Sequence, residues 1–153
     1  MKLMKLFMAF LVSLLVQTGF CAAADGLSQD EIKTVLTKAV EVVKAQGIDA
    51  AREAFNKEGE FKSGEVYVTV IDFNGVYLAF PPRPDAVGKS VLNVKDADGR
   101  LLVQEMIRIA REEGEGWTDY RWLNPVTGKI QPKTSLIKRI PGTDTLAFLG
   151  MYK

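Results

Sequence analysis

Val66-Tyr67-Val68-Thr69-Val70-Ile71-Asp72-Phe73-Asn74-Gly75-Val76-Tyr77-Leu78-Ala79-Phe80 carries two apolar, β-branched and aromatic runs around an Asn-Gly pair, the strongest short signal for an antiparallel hairpin. Residues 66–73 and 76–80 are expected to pair. With a two-residue turn, Phe73 faces Val76, Ile71 faces Leu78 and Thr69 faces Phe80, with Tyr67 further along that side, while Val70 opposes Ala79 on the other. Both faces are mainly apolar, so the sheet must be covered on both sides.

The first cover lies N-terminal to the hairpin. Ser28-Gln29-Asp30-Glu31 is a capping box, in which the Ser28 hydroxyl and the Glu31 carboxylate satisfy orphan amides at a helix start. Ile32, Val35, Leu36, Ala39, Val42 and Val43 recur three and four apart on one stripe. Gly47 is expected to end that helix as a left-handed cap, and a shorter helix is expected from Asp49 through Ala50, Ala51, Ala54 and Phe55. The second cover follows the hairpin. Residues 81–102 are broken by Pro81, Pro82, Pro84, Gly88 and Gly99, yet carry Val87, Val91, Leu92 and Val94, which suits a loop folded over the sheet as a lid. A helix over residues 101–112 follows, with Val103, Met106, Ile107 and Ala110 on one stripe. Three more strands, at residues 116–123, 129–140 and 145–152, are separated by Asn-Pro-Val-Thr-Gly and Pro-Gly-Thr-Asp turns. The order defines an α+β domain on a five-stranded antiparallel sheet, with the long N-terminal helix on one face and the lid and second helix on the other.

Residues 1–24 read as a secretory signal peptide. Lys2 and Lys5 precede an apolar run over residues 6–16, and Ala22-Ala23-Ala24 gives a small-residue cleavage site, leaving residues 25–153 as a single domain. The run is too short for a good bilayer span, so an uncleaved anchor is the second reading. Bulky Phe20 before Cys21 argues against lipid attachment. The chain has one cysteine, which leaves with the peptide, and no histidine. Disulfides, thiolate or histidine metal sites, and Cys-His or Ser-His-Asp catalysis are excluded. Without Lys2 and Lys5 the net charge is about minus one, and no basic stripe invites nucleic acid. The protein is expected in the periplasm or secreted.

Beyond composition, the sequence resembles a known family. Residues 67–76, the Ala79-Phe80-Pro81 exit, Val87-Gly88-Lys89-Ser90, Asp96-Ala97-Asp98-Gly99-Arg100, Gly116-Trp117-Thr118-Asp119-Tyr120-Arg121-Trp122 and Asn124-Pro125-Val126-Thr127-Gly128-Lys129, in that order, are similar to a single Cache domain of the second type, from about Ser28 to the C-terminus. The resemblance implies a PAS-like extracytoplasmic sensor fold with a pocket for small organic acids between the sheet and the lid. It admits a homodimer through the N-terminal helix. Phe80 stands where many relatives carry a histidine, making that contact apolar. Relatives also continue into membrane helices and an output domain, whereas this sequence stops soon after its last strand, so a separate membrane receptor, kinase or transporter partner is expected.

A carboxylate in an apolar pocket needs a cation or several hydrogen-bond donors to offset its desolvation. Strand alternation puts Tyr120 with Trp122, and Lys133 with Ser135. The Lys-x-Ser pattern of that strand also belongs to the resemblance. The candidate ligand-binding residues are Tyr67, Phe80, Trp117, Tyr120, Trp122, Lys133 and Ser135, with Arg83 in the lid as a clamp. No catalytic residue, cofactor or metal is expected. A carboxylate and lysine enzyme would have to use Asp72, Asp119 and Lys133, and no close acid-base pair is visible. A structural subunit with a side-chain-filled pocket is the third reading. Asp96-Ala97-Asp98-Gly99 fits a calcium loop poorly, since Val94 falls at its first position, and reads as a turn whose Asp96 or Asp98 caps the next helix. Glu112, Glu113 and Glu115 oppose the dipole at a helix end.

Overall fold

The computed structural model describes residues 26–153; the signal-peptide reading lies outside them. The elements in chain order are α1 (Gln29–Asn56), β1 (Lys62–Ser63), β2 (Val66–Tyr67), β3 (Thr69–Asp72), β4 (Tyr77–Ala79), a 3-10 turn (Pro84–Ala86), α2 (Leu102–Glu112), β5 (Glu115–Leu123), β6 (Ile130–Arg139) and β7 (Thr145–Tyr152). The sheet is antiparallel throughout in the order β4-β3-β7-β6-β5, and β1 and β2 form a small separate ribbon.

The capping box forms as its residues require: Ser28 Oγ accepts from the Glu31 amide at 3.3 Å, and Glu31 Oε2 accepts from the Ser28 amide at 2.8 Å. Gly47 interrupts the helix at φ 82°, ψ 167°. That is an extended conformation open only to glycine rather than a left-handed cap, and it divides α1 into the two expected helices, which meet at a kink there. Ile32, Leu36, Ala39, Val43 and Phe55 bury against Val68, Val70, Leu136 and Leu149 on one face of the sheet. On the other face Val103, Met106, Ile107 and Ala110 of α2 meet Ile71, Phe73, Ile137 and Leu146, joined by Val91, Leu92 and Val94 of the lid. Each fully buried side chain of this kind contributes about 1.5–3 kcal/mol.

The hairpin register departs from the two-residue expectation. Gly75 donates to the Asp72 carbonyl at 3.0 Å and Asp72 to Val76 at 3.0 Å, so three residues make the turn, with Gly75 at φ 76°. Ile71 therefore faces Tyr77 instead of Leu78, and an irregularity between Val70 and Ile71 restores the expected Val70 and Ala79 pair. Tyr77 is thereby brought to the lid side. The lid is hydrogen-bonded along the open edge of β4, through Tyr77 N to Lys89 O (3.1 Å), Gly88 N to Tyr77 O (2.8 Å) and Val91 N to Gly75 O (2.7 Å). An otherwise exposed sheet edge is covered.

Gly75 joins turn and lid. A Cβ there would lie 2.8 Å from Leu92 Cα and 2.9 Å from its amide nitrogen, on a backbone already unfavourable for other residues. Gly75→Ala is expected to destabilise the fold by about 2 kcal/mol or more, read as a lower urea midpoint. An unchanged midpoint would show the turn and lid yielding without cost.

Neither Asp96 nor Asp98 caps α2, whose N-cap residue is Leu101 with no side-chain cap. Instead Asp96, almost wholly buried, closes its own turn by accepting from Asp98 N (3.0 Å), Arg100 N (2.9 Å) and Arg100 Nε (2.8 Å). The acids at the end of α2 also find a structural reason: Arg108 pairs with Glu105, Glu112 and Glu113, and Lys138 pairs with Glu115 at 2.6 Å.

Candidate functional site

Between the sheet and α2 lies a chamber of about 30 Å³. Alternation along the strands decides what enters it. Tyr120 and Trp122 of β5, Lys133 and Ser135 of β6, and Phe148 and Gly150 of β7 all project to the α2 side. Leu102, Val103 and Met106 of α2 close it from above. A second, wider space of about 510 Å³ opens outside it, lined by lid residues including Pro82, Arg83, Lys89 and Ser90 and by Leu123 and Pro125 of the β5–β6 turn. Tyr67, Tyr77, Phe80, Val94 and Trp122 line both spaces, so they form the partition between chamber and vestibule. Within it Tyr77 stacks on Phe80 with ring centroids 4.5 Å apart, and Tyr67 meets Phe80 edge-on at 6.0 Å.

Lys133 is the polar centre of the chamber. It is 3% exposed and makes no ion pair among the described residues. Its Nζ donates to Tyr67 Oη at 3.2 Å and lies 4.6 Å and 4.4 Å from the ring centroids of Tyr67 and Tyr152. The rings offset part of the charge's desolvation. Burial nevertheless brings the amine down to about 8, with the charge of Glu65 pulling the other way. Tyr120 Oη and Ser135 Oγ are 2.7 Å apart, also buried. Burial pushes the Tyr67 and Tyr120 hydroxyls well above the ordinary phenol range and Tyr77 up to about 12. All three remain protonated donors at neutral pH. One amine, two tyrosine hydroxyls and a serine hydroxyl thus stand together in an aromatic box, a set of hydrogen-bond donors that carries one positive charge when the amine is protonated.

The structure therefore brings together six of the eight residues singled out from the sequence: Tyr67, Phe80, Tyr120, Trp122, Lys133 and Ser135. Arg83 reaches only the vestibule, where it pairs with Asp85 at 3.1 Å. Trp117 is not brought there. It is three residues from Tyr120, an odd number, so alternation sends it to the α1 side, where it is 37% exposed. Tyr77, Phe148, Gly150 and Tyr152 were missed. Tyr77 depends on the turn geometry, whereas Tyr152 and Gly150 come beside Lys133 and Ser135 through the β6–β7 register. The i, i+2 spacing of Phe148, Gly150 and Tyr152 was the available signal.

A five-stranded sheet with a helix behind it and a lidded aromatic chamber in front is the build of a PAS-like ligand-binding domain. Residues 27–151 match the family model described as Cache domain, and the chain belongs to the Cache family, second type. It is 29% identical over 86 residues to the sensor histidine kinase MctS of Rhizobium johnstonii, and 26% identical over 86 residues to the methyl-accepting chemotaxis protein McpP of Pseudomonas putida. Each match takes in 56% of this chain but only 18% and 16% of those longer proteins. Among solved structures, a methyl-accepting chemotaxis protein from Vibrio parahaemolyticus superposes with TM-score 0.69 at 19% identity, covering 80% of this chain and 86% of the other. A Cache chemosensory domain described in terms of carboxylic acid recognition gives 0.64 at 22%, again over 80% and 86%. Both share the fold. No helix among the described residues is long and apolar enough to cross a membrane.

Proposed function

We propose that this domain is an exported sensing module that binds a small carboxylate in the inner chamber and passes its liganded state to a membrane receptor, kinase or transporter partner. One observation carries the reading: Lys133, buried, without an acidic partner among the described residues, stands among the Tyr67, Tyr120 and Ser135 hydroxyls. A buried ammonium without a counter-ion is costly. An incoming carboxylate supplies the missing charge and accepts charge-assisted hydrogen bonds. The small chamber favours acids of two or three carbons, with Phe80, Trp122 and Met106 around the alkyl end. The kinship with a chemoreceptor and a sensor kinase supports sensing, and the solved relative described for carboxylic acid recognition supports the ligand class. The reading assigns no catalytic role.

A thermal-shift panel of two- to four-carbon carboxylates, amino acids and amines tests it. A carboxylate at a hundred times its dissociation constant adds about 2.7 kcal/mol of stability. A flat response to every acid, or a shift confined to amines, would overturn the assignment.

A further inference from the structure

Lys133 offers a second chemistry that ion pairing does not use. We infer that the chamber captures small carbonyl compounds, 2-oxo acids and short aldehydes, as a reversible Schiff base on Lys133. The inference rests on the reading of this chamber as the ligand site. Three features of the geometry carry it. The Nζ lies in a largely apolar space, 3% exposed, with no carboxylate within ion-pair distance among the described residues to hold it as an ammonium. Desolvation of this kind is what turns a lysine into a nucleophile. A protonated hydroxyl, Tyr67 Oη, stands 3.2 Å from it, placed to relay protons. The surrounding partition of Tyr67, Tyr77, Phe80 and Trp122 separates the chamber from the vestibule, so the water released must leave through it.

The step balances without a co-reactant. The free amine of Lys133 attacks the carbonyl carbon, forming a C–N bond as the C=O π pair moves to oxygen. That oxygen takes a proton from Tyr67, and the nitrogen returns one to Tyr67, giving a carbinolamine. Tyr67 then protonates the hydroxyl, which leaves as water while the nitrogen lone pair forms the C=N bond, and the iminium nitrogen returns its proton to the Tyr67 oxygen to give the neutral imine. Hydrolysis reverses every step, as a sensor requires. The groups that face the amine are Tyr67 and Tyr152, whose rings favour its charge, and Glu65, whose carboxylate does the same while accepting from Asn124 Nδ2 at 2.8 Å. With the amine brought down to about 8, its uncharged fraction at pH 8 is about a hundred times that of a solvent lysine.

The test treats the purified protein at pH 8 with glyoxylate or with acetate, each with sodium cyanoborohydride, and maps adducts by peptide mass spectrometry. The result expected is one reduced adduct with glyoxylate, located at Lys133 and formed ahead of any surface lysine, none with acetate, and slower labelling when acetate competes. K133R should lose the adduct, and Y67F, which leaves the lysine in place, should slow it. Labelling confined to surface lysines while acetate still raises the melting temperature overturns carbonyl capture and leaves the carboxylate reading intact. Labelling at Lys133 without any acetate shift leaves capture standing and removes the carboxylate reading. Neither adduct nor shift removes both.

Discussion

Lys133→Met is expected to abolish stabilisation by small carboxylates and, in the same protein, to raise the stability of the unliganded domain at pH 7. The two effects have one cause. The folded-state value of about 8 lies below the ordinary lysine value, so between roughly pH 8 and 10.5 the unfolded chain binds more protons than the native one. Native stability therefore rises with pH through that window, and below pH 8 the burial penalty is felt in full, about 3 kcal/mol. Methionine fills a similar space without a charge, although it forfeits the contacts with the Tyr67 and Tyr152 rings. The net gain is expected to be about 1–2 kcal/mol at pH 7, with the rise between pH 8 and 10.5 absent. Affinity runs the other way. A carboxylate prefers the ammonium form, so wild-type binding should weaken about tenfold per pH unit once the amine loses its proton above pH 8. Chemical denaturation at a series of pH values, with and without acetate, reads both. If the variant is less stable than wild type at pH 7 and still responds to acetate, Lys133 is a structural residue rather than the anchor.

The same lysine shows how far local sequence reasoning reaches. Burial of Lys133 and Ser135 on one face of β6, and of Tyr120 and Trp122 on one face of β5, follows from period-two alternation once the strands are placed. The same rule separates Trp117 from them by parity. The capping box at Ser28, the five strands of the main sheet and the division into two apolar faces were equally local signals, and they define the fold, whereas the break at Val68 that gives Val66–Tyr67 to a separate ribbon with Lys62–Ser63 was not among them. What lay beyond reach depends on distant pairings. Tyr152 stands opposite Lys133, and Gly150 opposite Ser135, only because β6 and β7 meet in one particular register. Tyr77 entered the site because Asn74-Gly75 turns over three residues rather than two, a difference of one residue that moves a side chain across the sheet. Arg83 looked like a free clamp in the sequence, yet Asp85 two residues on occupies its guanidinium.

Gly150 is where packing and the proposed binding meet, and Gly150→Ala should damage both. The residue lies in β7 at ordinary strand backbone, so the argument rests on space rather than on φ. A Cβ built there falls onto Ser135 Oγ, and lies 2.7 Å from Lys133 Cε and 2.8 Å from the Thr134 carbonyl oxygen. Ser135 Oγ cannot turn away freely, because it is held by Tyr120 Oη at 2.7 Å. Lys133 cannot swing out without leaving its two tyrosine rings. The Thr134 carbonyl belongs to the backbone of a central strand. Relief must come from breaking the Tyr120 and Ser135 hydrogen bond or from parting β6 and β7, and overpacking of this kind costs about 1–3 kcal/mol. A methyl group also displaces the polar end of the chamber, where the carboxylate would sit. The expected result is a lower melting temperature and no further shift with acetate. Gly150→Ala together with Ser135→Ala separates the causes: removing Oγ relieves the worst contact, so stability should partly return while binding does not. Full acetate binding by the single variant would place the ligand outside this chamber, in the vestibule bounded by Arg83 and Lys89.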